Sequence, residues 1–193
     1  MRLGMNATGA SSIVDALDRL ILVFMLAVLA AILTAAMVMQ YASGEIPCPL
    51  CLLQRVAMFG CCFGLIVQLR SDNSERGTGV ALIFAVLLLV ISVRQTLLDL
   101  FSRPGHEYIG SAVLGIHLPV WSVIIAVALL LGFAIRLALF GGTRRTVAER
   151  NSLRPVAHLL GIYVIAICAI NFLSVIAQCG LDQCHTFGYR LLQ

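Results

Sequence analysis

Five apolar runs, at about residues 20–42, 52–69, 79–100, 119–140 and 156–177, leave this chain little choice of solvent. A helix needs roughly 17–25 predominantly apolar residues to cross a bilayer, and each run meets that length. Hydrophobic residues make up 61% of the chain and charged residues 11%, an apolar share well above that of a soluble domain. The expected fold class is therefore an all-α membrane protein. The spans use up most of the 193 residues, so a single integral membrane domain, 1–193, is expected, with no repeat, low-complexity tract or soluble linker. The first run exceeds the roughly 7–15 residues of a signal-peptide core. It is expected to stay as a helix, although small residues (Ala42-Ser43-Gly44) follow it.

Orientation is read from arginine, since the thirteen basic residues include no lysine. Cytoplasmic loops collect positive charge. With the N-terminus inside, Arg2, Arg19, Arg70, Arg76, Arg136, Arg144, Arg145, Arg150 and Arg154 fall at cytoplasmic ends, and only Arg94, Arg103 and Arg190 fall outside, nine against three. The net charge of +4 thus reflects topology, and no basic stripe interleaved with aromatics points to nucleic acid. The outer segments become 43–51, 101–118 and 178–193, with the C-terminus outside. Cys48, Cys51, Cys179 and Cys184 then all lie where disulfides persist. Loop 101–118, with Tyr108, His117 and nearby Trp121, has the character of an interfacial anchor or a docking segment.

The stretch "IPCPLCLLQRVAMFG", residues 46–60, carries the chemistry. Only a thiolate attacks a disulfide, and a thiol's pKa falls in C-x-x-C, at a helix N-terminus or beside a cation. Pro49 suits a first helical position, which places Cys51 at the positive end of the second helix. Arg55 is then i+4 from Cys51 and i+7 from Cys48, on the same face about one turn deeper. An arginine at that depth is a functional candidate by default, and its planar donors could hold a carbonyl-bearing lipophile such as a quinone. A structural staple or a metal-binding pair, with Arg55 snorkelling to headgroups, stays open from the pattern alone.

"CPLCLLQR" after one span resembles the bacterial DsbB family of disulfide-forming quinone reductases, with "VRQTLLDLF" and "GIHLPVW" as further related runs over about 15–140. The resemblance implies a DsbB-like four-helix bundle, here with a fifth transmembrane helix, in the bacterial inner membrane with its active site on the periplasmic face. It implies electrons taken from a periplasmic DsbA-type thiol oxidase and passed to ubiquinone or menaquinone. Carried over, Cys51 resembles the cysteine that contacts quinone, Cys48 its disulfide partner and Arg55 the quinone-binding arginine. Gln95 stands near where some members carry a quinone-proximal histidine, and Arg94 beside it suits interfacial phosphates.

The chain departs from the family in its second outer loop, 101–118, which holds no cysteine. The tail "AQCGLDQCHTFGYRLLQ" supplies Cys179 and Cys184 instead, and the inference is that they take over the second redox pair. A structural clasp, or a metal site with Asp182 and His185, are the other uses weighed for this pair. The rival function is accordingly a membrane metal-binding or transport protein using outer Cys/His ligands, and a reductive enzyme with the same residues is a third. Cys61, Cys62 and Cys168 are expected to act as small apolar residues in mid-helix. His158 and Asn171 are expected to make helix-packing polar contacts, and Asp99 to pair with Arg103 at i+4.

Overall fold

The computed structural model of the protein describes residues 5–42, 44, 48–70, 74–100, 112–141 and 153–179. Among them are five long helices, α1 (Met5–Ala42), α2 (Pro49–Arg70), α3 (Arg76–Leu100), α4 (Leu118–Phe140) and α5 (Arg154–Cys179). A two-stranded hairpin, β1 (Ala112–Val113) and β2 (Ile116–His117), precedes α4. All five helices are long and apolar enough to span a membrane, as the runs of hydrophobic residues required. The protein is an all-α, multi-pass membrane protein.

Three structural details were not legible in the runs. Helix α1 has 38 residues, about 57 Å at 1.5 Å per residue, so it begins well before the apolar stretch. Three charged residues ahead of the apolar stretch are not left in water: Asp15, Asp18 and Arg19 are all buried. The described end of the 101–118 loop is the hairpin, with Ala112 opposite His117 and Val113 opposite Ile116. Its two-residue turn, Leu114 and Gly115, has positive φ at both positions, the backbone that matches strand twist in tight hairpins. Residues 101–111, and with them Tyr108 and Arg103, lie outside the described residues, as do 142–152 and 180–193.

Side-chain contacts sort the helix ends. Arg55 near the start of α2 meets Gln40 near the end of α1 and Asn171 in the second half of α5. Arg136 near the end of α4 meets Asp18 in the first half of α1 and Glu75 just before α3. Helices α1 and α5 run parallel, since Thr34 bonds Tyr163 at 2.8 Å and Tyr41 bonds Ser174 further along. The end of α1, the start of α2 and the end of α5 therefore share one end of the bundle, here called the disulfide end. The starts of α1 and α3 and the end of α4 share the other.

The interior follows membrane packing rules, in which small residues bring helices together because lipid offers no hydrophobic drive between them. Leu22, Leu26, Leu29 and Leu33 of α1 meet Leu65, Leu88 and Phe133 in the core. Phe24, Ile83, Leu131, Leu159 and Phe172 face outward, where hydrocarbon rather than water receives them. Helices α2 and α3 cross most closely at Gly64, Gly77 and Ala81. A Cβ on Gly64 would stand 2.5 Å from the Ala81 amide nitrogen and 2.7 Å from the Gly77 carbonyl oxygen, backbone atoms that have no rotamer to yield. Gly64→Ala is therefore expected to destabilise the bundle by at least the roughly 1–3 kcal/mol typical of overpacking. Thermal unfolding in detergent, followed by circular dichroism, measures it, and an unchanged midpoint contradicts the close crossing.

The end away from the disulfide is tied by a buried charged cluster. Arg136 is 2% exposed. Its Nε donates to Asp18 Oδ1 at 2.7 Å, and its Nη1 donates to Glu75 Oε2 at 2.7 Å and Thr78 Oγ1 at 2.6 Å. Arg136 and Arg19, which the charge argument counts at the membrane ends of their helices, are thus taken into the bundle interior.

Candidate redox site

Cys48 and Cys51 are joined by a disulfide, with Cα atoms 5.1 Å apart. The local sequence explains its place. Cys48 caps α2, since its carbonyl oxygen accepts the Leu52 amide at 3.1 Å and its sulfur accepts the Cys51 amide at 3.1 Å. Pro49 follows at the first helical position, where a missing N–H costs nothing. The disulfide thus occupies the first turn of a membrane-spanning helix, where unpaired amides and the helix dipole favour negative charge. Cys48 is buried, whereas Cys51 is partly accessible.

The structure brings Gln95 to this pair. Its Nε2 donates to Cys48 Sγ at 3.5 Å and to Cys51 Sγ at 3.4 Å. Gln95 is itself held by Gln54, whose Nε2 donates to Gln95 Oε1 at 2.9 Å. Ser122 Oγ on α4 donates to Gln54 Oε1 at 3.2 Å. Three helices therefore converge behind the sulfurs. Arg55 is arranged differently: its guanidinium turns to α1 and α5, donating to Gln40, to Ala36 O at 3.0 Å, to Asn171 Oδ1 at 3.3 Å and to Met37 Sδ at 3.4 Å. The sulfurs and the guanidinium lie toward the same end of the bundle, the guanidinium about one turn deeper, but are served by different helices.

Asn171 belongs to a buried stripe of α5, Gly161, Val164, Ile167, Asn171, Ser174 and Gln178, whose half toward the disulfide end is polar. That stripe seats the fifth helix against Arg55 and Tyr41. A cavity of about 530 Å³ lies between α1 and α5, lined by Thr34, Met37, Tyr41, Tyr163, Ile167 and Ile170, among others. Cys179, the last residue of α5, is buried and disulfide-bonded, while Cys184, Asp182 and His185 lie outside the described residues.

Cys61, Cys62 and Cys168 are free. The first two are fully buried, packed as small apolar residues, but Cys168 lies on the outer face of α5. Among the described residues no three His, Cys, Asp or Glu side chains converge as a metal site would require. Arg94 is exposed near the end of α3. Sequence reasoning did not assign Gln54, Ser122 or Gln40 to the site. Gln54 sits inside the quoted "CPLCLLQR" run, but its role depends on which helix its face meets.

The family model for disulfide bond formation protein DsbB matches residues 18–106, a segment that holds Cys48, Cys51, Gln54, Arg55 and Gln95. Comparison with curated proteins and with solved structures returned no match. A membrane-spanning helix that opens with a C-x-x-C disulfide lies within the segment matched by that family model, a likeness that supports membership of the DsbB family.

Proposed function

We propose that this protein is a thiol:quinone oxidoreductase of the bacterial inner membrane that reoxidises a periplasmic DsbA-type thiol oxidase and uses ubiquinone or menaquinone as electron acceptor. The observation that carries the reading is the Cys48–Cys51 disulfide in the first turn of a spanning helix, with Arg55 one turn deeper. The donor set suits a quinone, whose carbonyl oxygens only accept hydrogen bonds: the Gln95 carboxamide and the Arg55 guanidinium both donate. Arg55 would hold it, joined by Gln95 only where one of the N–H groups that Gln95 places on the sulfurs is released to the quinone, and a bound quinone supplies a two-electron oxidant dissolved in the membrane. The arginine distribution supports a periplasmic location for the disulfide end.

Cys179 and Cys184 are assigned the role of the second redox pair. Cys179 ends α5 eight residues past Asn171, about 12 Å at helical rise, and Cys48 precedes Arg55 by seven residues, about 10 Å. Since Asn171 and Arg55 touch, this supports similar levels for Cys179 and Cys48 at one end of the bundle. In each exchange a thiolate attacks a disulfide, one S–S bond forms as one breaks, and the electron pair of the broken bond leaves on the released sulfur. Two such exchanges pass two electrons from the partner to the tail pair, and two more pass them to Cys48–Cys51.

Single-turnover reduction of ubiquinone by a reduced DsbA-type protein tests both statements on the full-length protein. Wild type is expected to turn over. The Cys179→Ser/Cys184→Ser variant is expected to fall to background with the protein partner while dithiothreitol still drives the reaction. Normal turnover of that variant with the partner removes the tail relay, and a wild type that reduces no quinone removes the function.

A further inference from the structure

The disulfide, Gln95, Gln54 and Ser122 form one line of hydrogen bonds across α2, α3 and α4, and its direction is dictated by chemistry. Disulfide sulfurs carry no hydrogen, so only the NH2 edge of Gln95 can hydrogen-bond them, one hydrogen to each sulfur. Gln95 Oε1 must then face Gln54, which presents its own NH2 and leaves its oxygen for the Ser122 hydroxyl. Every donor points toward sulfur. Gln54, Gln95 and Ser122 are all buried, and the direction is fixed at the sulfurs: a turned Gln95 would set its oxygen against two atoms that cannot donate, whereas Ser122, which also reaches Leu118 O at 3.3 Å, can either donate to Gln54 or accept from it.

We propose that Gln54 is a positioning residue that holds the Gln95 carboxamide NH2-first against Cys48 and Cys51, stabilises the thiolate released from that pair and so makes the pair a stronger oxidant. The proposal rests on the reading above only in giving the pair a redox role. When an incoming thiolate opens the disulfide, a new S–S bond forms, the electron pair of the broken bond stays on the released sulfur, and no proton is needed. A disulfide sulfur is a weak neutral acceptor, whereas a thiolate is a charged one, so the Gln95 N–H bonds strengthen on reduction. Preferential stabilisation of the reduced form raises the potential of a dithiol pair. Gln54 never touches sulfur and acts only by denying Gln95 the opposite orientation.

The test is the midpoint of the Cys48–Cys51 pair in the full-length protein, equilibrated in detergent with a series of reduced and oxidised dithiothreitol mixtures. Alkylation and mass spectrometry of the peptide carrying both cysteines separate this pair from the tail. Gln54→Leu, close in volume and uncharged, is expected to lower the exchange constant at least about threefold, about 15 mV for a two-electron couple. Gln54→Glu, measured at a pH where the carboxyl is ionised, can accept but not donate, so it draws the Gln95 NH2 away from sulfur and is expected to shift the midpoint further in the same direction. In a Gln95→Leu background Gln54→Leu is expected to add nothing, the non-additivity of residues acting as a unit. A wild-type midpoint in both Gln54 variants, or an equal Gln54→Leu shift with Gln95 absent, overturns the proposal. If one Gln54 variant does not fold, the other carries the same comparison. No quinone and no protein partner enters the measurement, so the quinone reading can fail in its own assay without altering this readout.

Discussion

Cys51→Ser is expected to abolish quinone reduction driven by the protein partner and by dithiothreitol alike, a loss on the order of a thousandfold or more. A serine hydroxyl neither forms a disulfide with Cys48 nor ionises near neutral pH, so both the exchange step and the delivery step disappear. The fold is expected to survive. The Cys48–Cys51 disulfide closes a loop with a sequence separation of only 3, and short loops constrain the unfolded chain least. Pro49 and the Cys48 carbonyl still start α2. Circular dichroism separates the two effects: retained helix with absent turnover assigns the loss to chemistry. The remaining Cys48 thiol should also accumulate as an unresolved mixed disulfide, visible on a non-reducing gel. Residual turnover above a few per cent would mean that the electrons leave by a route that does not need Cys51.

The second large effect lies at the opposite end of the molecule. Arg136→Met is expected to destabilise the bundle by about 3–5 kcal/mol, the cost of removing one partner from a buried ion cluster. The loss is uneven across the partners. The Glu75 side chain is 42% exposed and can turn to water, whereas that of Asp18 is 2% exposed and loses the Arg136 guanidinium at a buried position. Asp18→Asn in the Arg136→Met background is therefore expected to recover a good part of the loss, while Glu75→Gln recovers little. Thermal unfolding in detergent of the single and double variants measures this. Equal rescue by both would show that the two carboxylates share the charge evenly, against the burial difference.

The path from sequence to site was uneven, for reasons that can be named. Helix α2 could be started at Pro49 because proline at a first helical position has a local cause. The Cys51–Arg55 spacing was readable because i and i+4 neighbours need only one helix. Gln54 and Ser122 carry no comparable signal, since their contacts with Gln95 depend on how α2, α3 and α4 turn about their axes. Asn171 was visible as a polar residue in an apolar span, but its partner Arg55 is 116 residues away in sequence. The burial of Asp15, Asp18 and Arg19 has no local signal, since the Arg136 that Asp18 meets is 118 residues away in sequence.

What the chain alone determined is set by quantities local to a helix: the number of spans from the length of hydrocarbon they must cross, the helical class, and the thiol chemistry of a C-x-x-C pair at a helix end. What only the tertiary structure decided is which residue reaches which. It put Gln95 on the sulfurs, turned Arg55 toward α1 and α5, and seated the fifth helix by a polar stripe. In a membrane every span is apolar, so hydropathy cannot say which face turns inward. That choice falls to buried polar contacts and close glycine crossings, and both exist only between helices far apart in the chain.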